Sequence, residues 1–257
     1  LLTLAGSTVA NWSYIKDELF GTQWKQWTAK APKALVYSSL RTEVEQAMTK
    51  NPTWGTTLAA EQSNEVAAQV ALGISSRYNV SLSTLEEIRM GLEDKAGLDI
   101  HRLDMARKLL QRPFTAAAAS GEPLTYDAFR EEVEPLYTNI VVGRASGMAE
   151  ADIENMTNAV LDGILAKYAV TQASVDVIVA KLSRRTAMNR NRLSVLDDLY
   201  VLQLQKDAAS EMQNQLKNAT DDLSKQDIIN HVIEKYRDIA KTRGIDWDFP
   251  ADAVPAF

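Results

Sequence analysis

One pattern recurs along this chain at a spacing of 89–90 residues, and it constrains the fold more than any motif does. Tyr37-Ser-Ser-Leu40-Arg41-Thr-Glu43-Val44-Glu45-Gln-Ala-Met-Thr49 lies over Tyr126-Asp-Ala-Phe129-Arg130-Glu-Glu132-Val133-Glu134-Pro-Leu-Tyr-Thr138, with six of thirteen positions identical. Gly73-Ile74-x-x-Arg77-Tyr78-x-Val80-Ser81 then lies over Gly163-Ile164-x-x-Lys167-Tyr168-x-Val170-Thr171. The same offset joins Leu85 to Val175, Ile88 to Ile178, Leu92 to Leu182 and Arg102-Leu103 to Arg192-Leu193. A fixed period held across distant blocks is the signature of repeated supersecondary units.

Within each block the apolar spacing is helical. Leu58, Val66, Val70, Ile74 and Tyr78 fall at multiples of four, and Ile153, Met156, Val160, Ile164 and Tyr168 continue the design. Such steps keep one face of a helix turned inward. Ser83-Thr-Leu-Glu86 offers a capping box, and Ser224-Lys-Gln-Asp227 a similar start before Ile228, Val232, Tyr236 and Ile239. Period-two alternation is scarce, so the reading is all-α, with about nine to eleven helices. A roughly four-helix unit is duplicated in tandem, as a helical repeat or bundle. The boundaries expected are an aromatic-rich helical extension over 1–36, a first unit over 37–111, a linker over 112–124 and a second unit over 125–206. A partial third unit or capping helices occupy 207–244, and an extended tail occupies 245–257. The third unit rests on an echo of Asp152-Ile153-x-Asn155 in Asp227-Ile228-x-Asn230.

The repeat assigns meaning to single residues. Gly73 and Gly163 cost about 1 kcal/mol each inside a helix, so their recurrence predicts close approach of a neighbouring helix. Tyr78 and Tyr168 predict an apolar body in the core with a polar tip. Arg41 with Glu45, and Arg130 with Glu134, stand at i,i+4 and predict solvated ion pairs.

The composition narrows the chemistry. The 257 residues include no Cys and only two histidines, His101 and His231. Thiolate zinc sites, iron–sulfur clusters and cysteine nucleophiles are thereby excluded. The 28 basic and 34 acidic residues give a net charge of −6, which disfavours a general nucleic-acid binder. Neither histidine belongs to a His-x3-His or Glu-x2-His set, so both are expected to be satisfied or exposed. No phosphate-cradling Gly-rich loop, nucleophile elbow or calcium loop is present. Asp221-Asp222 with Asp227, and Asp197-Asp198, superficially match the Asp-rich helices of isoprenoid synthases. The first set reads better as a loop running into a helix cap, which leaves a magnesium-dependent diphosphate enzyme as the third-ranked reading. No cofactor or metal is expected.

Two features suggest contact surfaces. Lys181, Arg184, Arg185, Arg190 and Arg192 fall within twelve residues without a nearby acid, as in a solvated inter-helix loop or an anion-binding patch. The ends are rich in aromatics: Trp12, Trp24 and Trp27 at the start, and Trp247, Phe249 and Phe257 in a tail that reads as an extended arm. Asp238–Trp247 resembles the closing helix of ESCRT-associated ATPase regulators over ten residues; the basic opening helix of that family has no counterpart here.

These readings converge on a non-enzymatic helical scaffold or accessory subunit whose partners are other protein subunits of a larger complex. The alternative is a peripheral adaptor that grips anions or a membrane surface through 181–192. No apolar run reaches the ~18–20 residues a membrane helix needs. The start at Leu1 rather than Met suits an intracellular chain processed on entry to an organelle such as the mitochondrion, where the host complex could be membrane-associated.

Overall fold

A computed structural model describes residues 30–114, 121–217, 219 and 221–250. The described residues are all-α, with seven helices and two two-residue strands. In chain order these are α1 (Lys33–Lys50), α2 (Ala60–Arg77), α3 (Leu82–Leu110), β1 (Glu122–Pro123), α4 (Tyr126–Ala145), α5 (Glu150–Lys167), β2 (Tyr168–Ala169), α6 (Gln172–Leu216) and α7 (Asp222–Lys241). Two of these seven helices are long. The 45 residues of α6 contain neither Gly nor Pro, so nothing in the backbone interrupts the helical hydrogen-bond ladder.

Helix bounds recur at the spacing seen in the sequence. Helices α2 and α5 each have 18 residues and start and stop 90 positions apart; α3 and α6 start 90 apart. The caps recur as well. The Ser81 hydroxyl accepts from the Thr84 amide, and the Thr171 hydroxyl from the Ser174 amide. Ser81 therefore caps α3, two residues ahead of the expected Ser83. Likewise α7 is capped by Asp221, whose carboxylate accepts from the Ser224 amide at 2.8 Å, as expected of a loop running into a cap there and three residues ahead of the start at Ser224. In both cases the oxygen that reaches the third amide on decides the start. Tyr78 and Tyr168 occupy the C-cap positions of α2 and α5. Arg77, just before Tyr78, pairs with Glu43, and Lys167, just before Tyr168, pairs with Glu132. The tyrosine tips are polar as expected: the Tyr78 hydroxyl accepts from Ser39, and the Tyr168 hydroxyl donates to Glu132.

The chain forms two compact units that are not consecutive stretches. One comprises Leu1–Met90 with Asn191–Phe257; the other is Gly91–Arg190. Each long helix thus gives its two halves to different units, cutting across the sequence blocks 37–111 and 125–206.

In the first unit, α1 buries Val36, Leu40 and Val44, and α2 buries Ala67, Ala71 and Ile74. The later half of α6 buries Val195, Leu199, Leu202 and Leu204, and α7 buries Val232 and Tyr236. The second unit has a core of Leu103, Met105, Leu109, Phe129, Val133, Leu136, Ile140, Ile153, Leu161, Ile164, Val175, Ile178 and Leu182 among its buried side chains. Each large apolar side chain buried there contributes about 1.5–3 kcal/mol. The pairing of β1 with β2 is parallel and ties the entry of α4 to the end of α5. Close approach does not explain the recurrent glycines. A Cβ on Gly163 would meet open space, and one on Gly73 would only touch Glu43 at 3.5 Å.

Candidate functional site

The second unit contains a cleft of about 860 Å³ lined by three helical stripes. Helix α3 contributes Gly97, Ile100, His101, Asp104, Met105 and Lys108; α4 contributes Tyr137, Ile140, Val141 and Arg144; α5 contributes Glu150, Ile153, Glu154 and Thr157. Each stripe follows the i, i+3, i+4, i+7 spacing that gathers side chains on one face. Met105, Ile140 and Ile153 form an apolar floor continuous with the core. The rim is charged but balanced. Arg144 pairs with Glu150 at 3.1 Å, and Arg107 stands 4.0 Å from Asp104. Ile100 and Val141 remain 46% and 49% exposed at the mouth.

His101 is the notable polar group. Its Nε2 is buried without a hydrogen-bond partner, contrary to the expectation of a satisfied or exposed side chain. Burial is the main force holding its pKa below the ordinary value; Asp104 pulls it up, while Lys108, Arg102 and Arg144 push it further down. The imidazole is therefore neutral at pH 7 and can offer Nε2 as a donor or an acceptor, according to tautomer. Its ring lies 5.4 Å from that of Tyr137. The Tyr137 hydroxyl in turn rests against Gly97, where a Cβ would come within 2.5 Å of it. Any side chain at 97 would push the tyrosine out of place.

A buried ionic hub in the same unit has a structural role. Asp99, 1% exposed, accepts from Arg102 at 3.1 Å, from Arg185 at 3.2 Å and from Asn189 at 3.0 Å. Arg102 also reaches Glu134 at 2.7 Å. Glu134 is thus drawn away from Arg130, its expected i,i+4 partner, and Arg130 stands 3.9 Å from Asp127 instead. A guanidinium deprived of water holds a carboxylate more strongly than an exposed one does.

Residues 181–192 are no loop; they lie inside α6. Lys181 stands 3.8 Å from the Tyr126 ring centroid, Arg185 serves Asp99, and Arg192 is buried in the first unit. Lys181, Arg184, Arg185 and Arg190 are all exposed to solvent. The tail is also engaged over its described part. Trp247 and Phe249 are buried in the first unit, with ring centroids 6.2 Å apart and Trp247 6.4 Å from Tyr236. Trp12, Trp24, Trp27 and Phe257 lie outside the described residues.

Three of these acids have partners. Asp221 caps α7, Asp222 meets Lys225 at 3.0 Å, and Asp197 pairs with Arg89. Among the described residues no three His, Asp or Glu side chains converge as a metal site would require, and no helix is long and apolar enough to cross a membrane. The cleft itself was missed in the sequence, although the stripe Gly97, Ile100, His101, Asp104, Lys108 signals one helix face of mixed character. Comparison with protein-family models, with the curated proteins and with the solved structures yields no match to this chain.

Proposed function

We propose that this chain is a non-enzymatic helical scaffold, an accessory subunit that binds other proteins through the cleft of its second unit. Tandem duplication of a helical unit underlies it, the two copies having diverged in what they bury. The observation that carries the reading is the half-exposed pair Ile100 and Val141 at the mouth of a cleft with an apolar floor. Val142, 61% exposed, adds to the apolar surface of the same helix. Apolar side chains at a pocket mouth within a charged rim are the arrangement expected of a contact surface. Repeated helical units supply such surfaces readily.

The alternative, an anion- or membrane-gripping adaptor, has less behind it because three of its five cations have other roles in the fold. The test is the native mass of the chain isolated gently from its source. Complexes heavier than the 28.5 kDa chain are expected. They should be lost when Ile100→Asp and Val141→Asp are combined, with helicity unchanged. A wild-type chain recovered as a free monomer overturns the proposal.

A further inference from the structure

The two units treat one equivalent position in opposite ways. Asn191 stands 90 residues after His101 and is buried in the first unit. Its side-chain amide donates to the main-chain carbonyl of Trp54 at 3.2 Å. Trp54 is fully buried and belongs to the nine-residue connection between α1 and α2. The next residue, Gly55, has φ +83°, and a Cβ on it would meet the Asn191 amide at 2.6 Å. The connection is therefore shaped to press a tryptophan-bearing main chain onto this position. In the second unit, α4 ends at Ala145 and α5 begins at Glu150, so only four residues connect them. No tryptophan lies among those four. There the equivalent residue, His101, lines an open cleft with its Nε2 unpartnered and shielded from solvent.

We infer that the cleft receives a partner protein's segment that presents one aromatic side chain to the apolar floor and a main-chain carbonyl to His101, whose ring turns to offer the now shielded Nε2, as Trp54 does to Asn191 within the first unit. The inference rests on the scaffold reading and names the chemistry of its partner. An aromatic anchor suits the floor of Met105, Ile140 and Ile153, because flat rings bury large apolar area at small conformational cost. A neutral imidazole bearing its proton on Nε2 supplies the donor that the Asn191 amide supplies in the first unit. The balanced rim, with as many acids as bases, favours a segment of low net charge.

The probe is the chain's own 51–59 sequence as a free, end-blocked peptide, fluorescein-labelled and titrated into the full-length protein by fluorescence anisotropy. Saturable binding is expected, about tenfold weaker when the tryptophan of the peptide is replaced by Ala. His101→Asn, which copies the first unit, should retain affinity within about threefold, while His101→Leu should lose at least about tenfold. Helicity and thermal midpoint, measured on both variants, separate lost binding from lost folding. No binding to the wild-type chain, or equal binding by the Trp and Ala peptides, overturns the inference. So does binding that emerges only when Trp12, Trp24 and Trp27 are all changed to Ala, since the occupant would then be the chain's own beginning. A chain found in complexes that nonetheless ignores the peptide would leave the scaffold reading standing and remove this inference alone.

Discussion

The two compact units share a helical register and differ in how they handle polarity at their centres. The second unit places its buried carboxylate, Asp99, among three donors, Arg102, Arg185 and Asn189. The first unit sets a half-buried Asp198 beside another acid. Desolvation, and then the neighbouring Asp197, push the Asp198 pKa from its ordinary 3.8 up to about 7. It also buries Lys206, whose ammonium donates to the Ser75 carbonyl at 2.6 Å while burial lowers its pKa to about 8. The apolar contrast runs the other way: the first unit seats Trp54 deep inside, and the second keeps a cleft open. Helical period fixes which positions face inward. It leaves free what fills the space between them.

The largest effect should come from the filled side. Trp54→Ala removes a fully buried indole and should cost about 3–5 kcal/mol in urea unfolding. Ile100→Ala, at the open mouth of the cleft, should cost less than about 1 kcal/mol. Equal losses would show that the two sites are not filled and open versions of one arrangement. The buried acids come next. Asp99→Ala leaves buried Arg102 with Glu134 alone, takes the acceptor from Arg185 and Asn189, and should destabilise by about 1–3 kcal/mol.

Asp198→Asn should do the reverse, and its sign follows from proton linkage. The folded carboxyl keeps its proton up to about pH 7, whereas the unfolded one loses it near pH 4. The unfolded state therefore binds fewer protons between those values, and stability falls as the pH rises through that window. Removing the group should stabilise by about 2–4 kcal/mol at pH 8 and by little below pH 4. Unfolding curves at the two pH values check it; an Asp198→Asn variant with the same modest effect at both would place this carboxyl in a wet or paired environment.

Much of this architecture could be read from residues alone, and the failures have local causes. The offset linking Ile74 to Ile164 and Leu92 to Leu182 marks positions that are all buried, because helical period and burial are one constraint. The basic run 181–192 misled as a loop. Charge density there says nothing about backbone, and the decisive fact is the absence of Gly and Pro from 172–216. The partner of Arg185 stands 86 residues away at Asp99, a long-range pairing that no local pattern announces. His101 was discounted for lack of ligand spacing. Its importance comes from what surrounds it on α4 and α5, and Tyr137, Arg144 and Glu150 become its neighbours only after those helices have packed.

The smallest expected effect bears most directly on the open cleft. The pKa of His101 is held low, first by burial and then by Lys108, Arg102 and Arg144, against the opposing pull of Asp104. An unfolded histidine takes up its proton near pH 6.5. As the pH falls below that value the unfolded state binds more protons than the folded one, so stability should decline toward acid. His101→Asn should flatten that part of the profile without altering it above pH 7. The imidazole is also an NMR reporter, since the only other histidine, His231, lies in the first unit. A carbonyl seated on Nε2–H and a ring covering the floor would fix one tautomer and exclude water. Both changes should move the His101 carbon and proton signals at constant pH on adding the 51–59 peptide, and shift its titration midpoint. Signals that titrate identically with and without bound peptide would show that the peptide sits away from His101, and the likeness to Asn191 would then be one of sequence position alone.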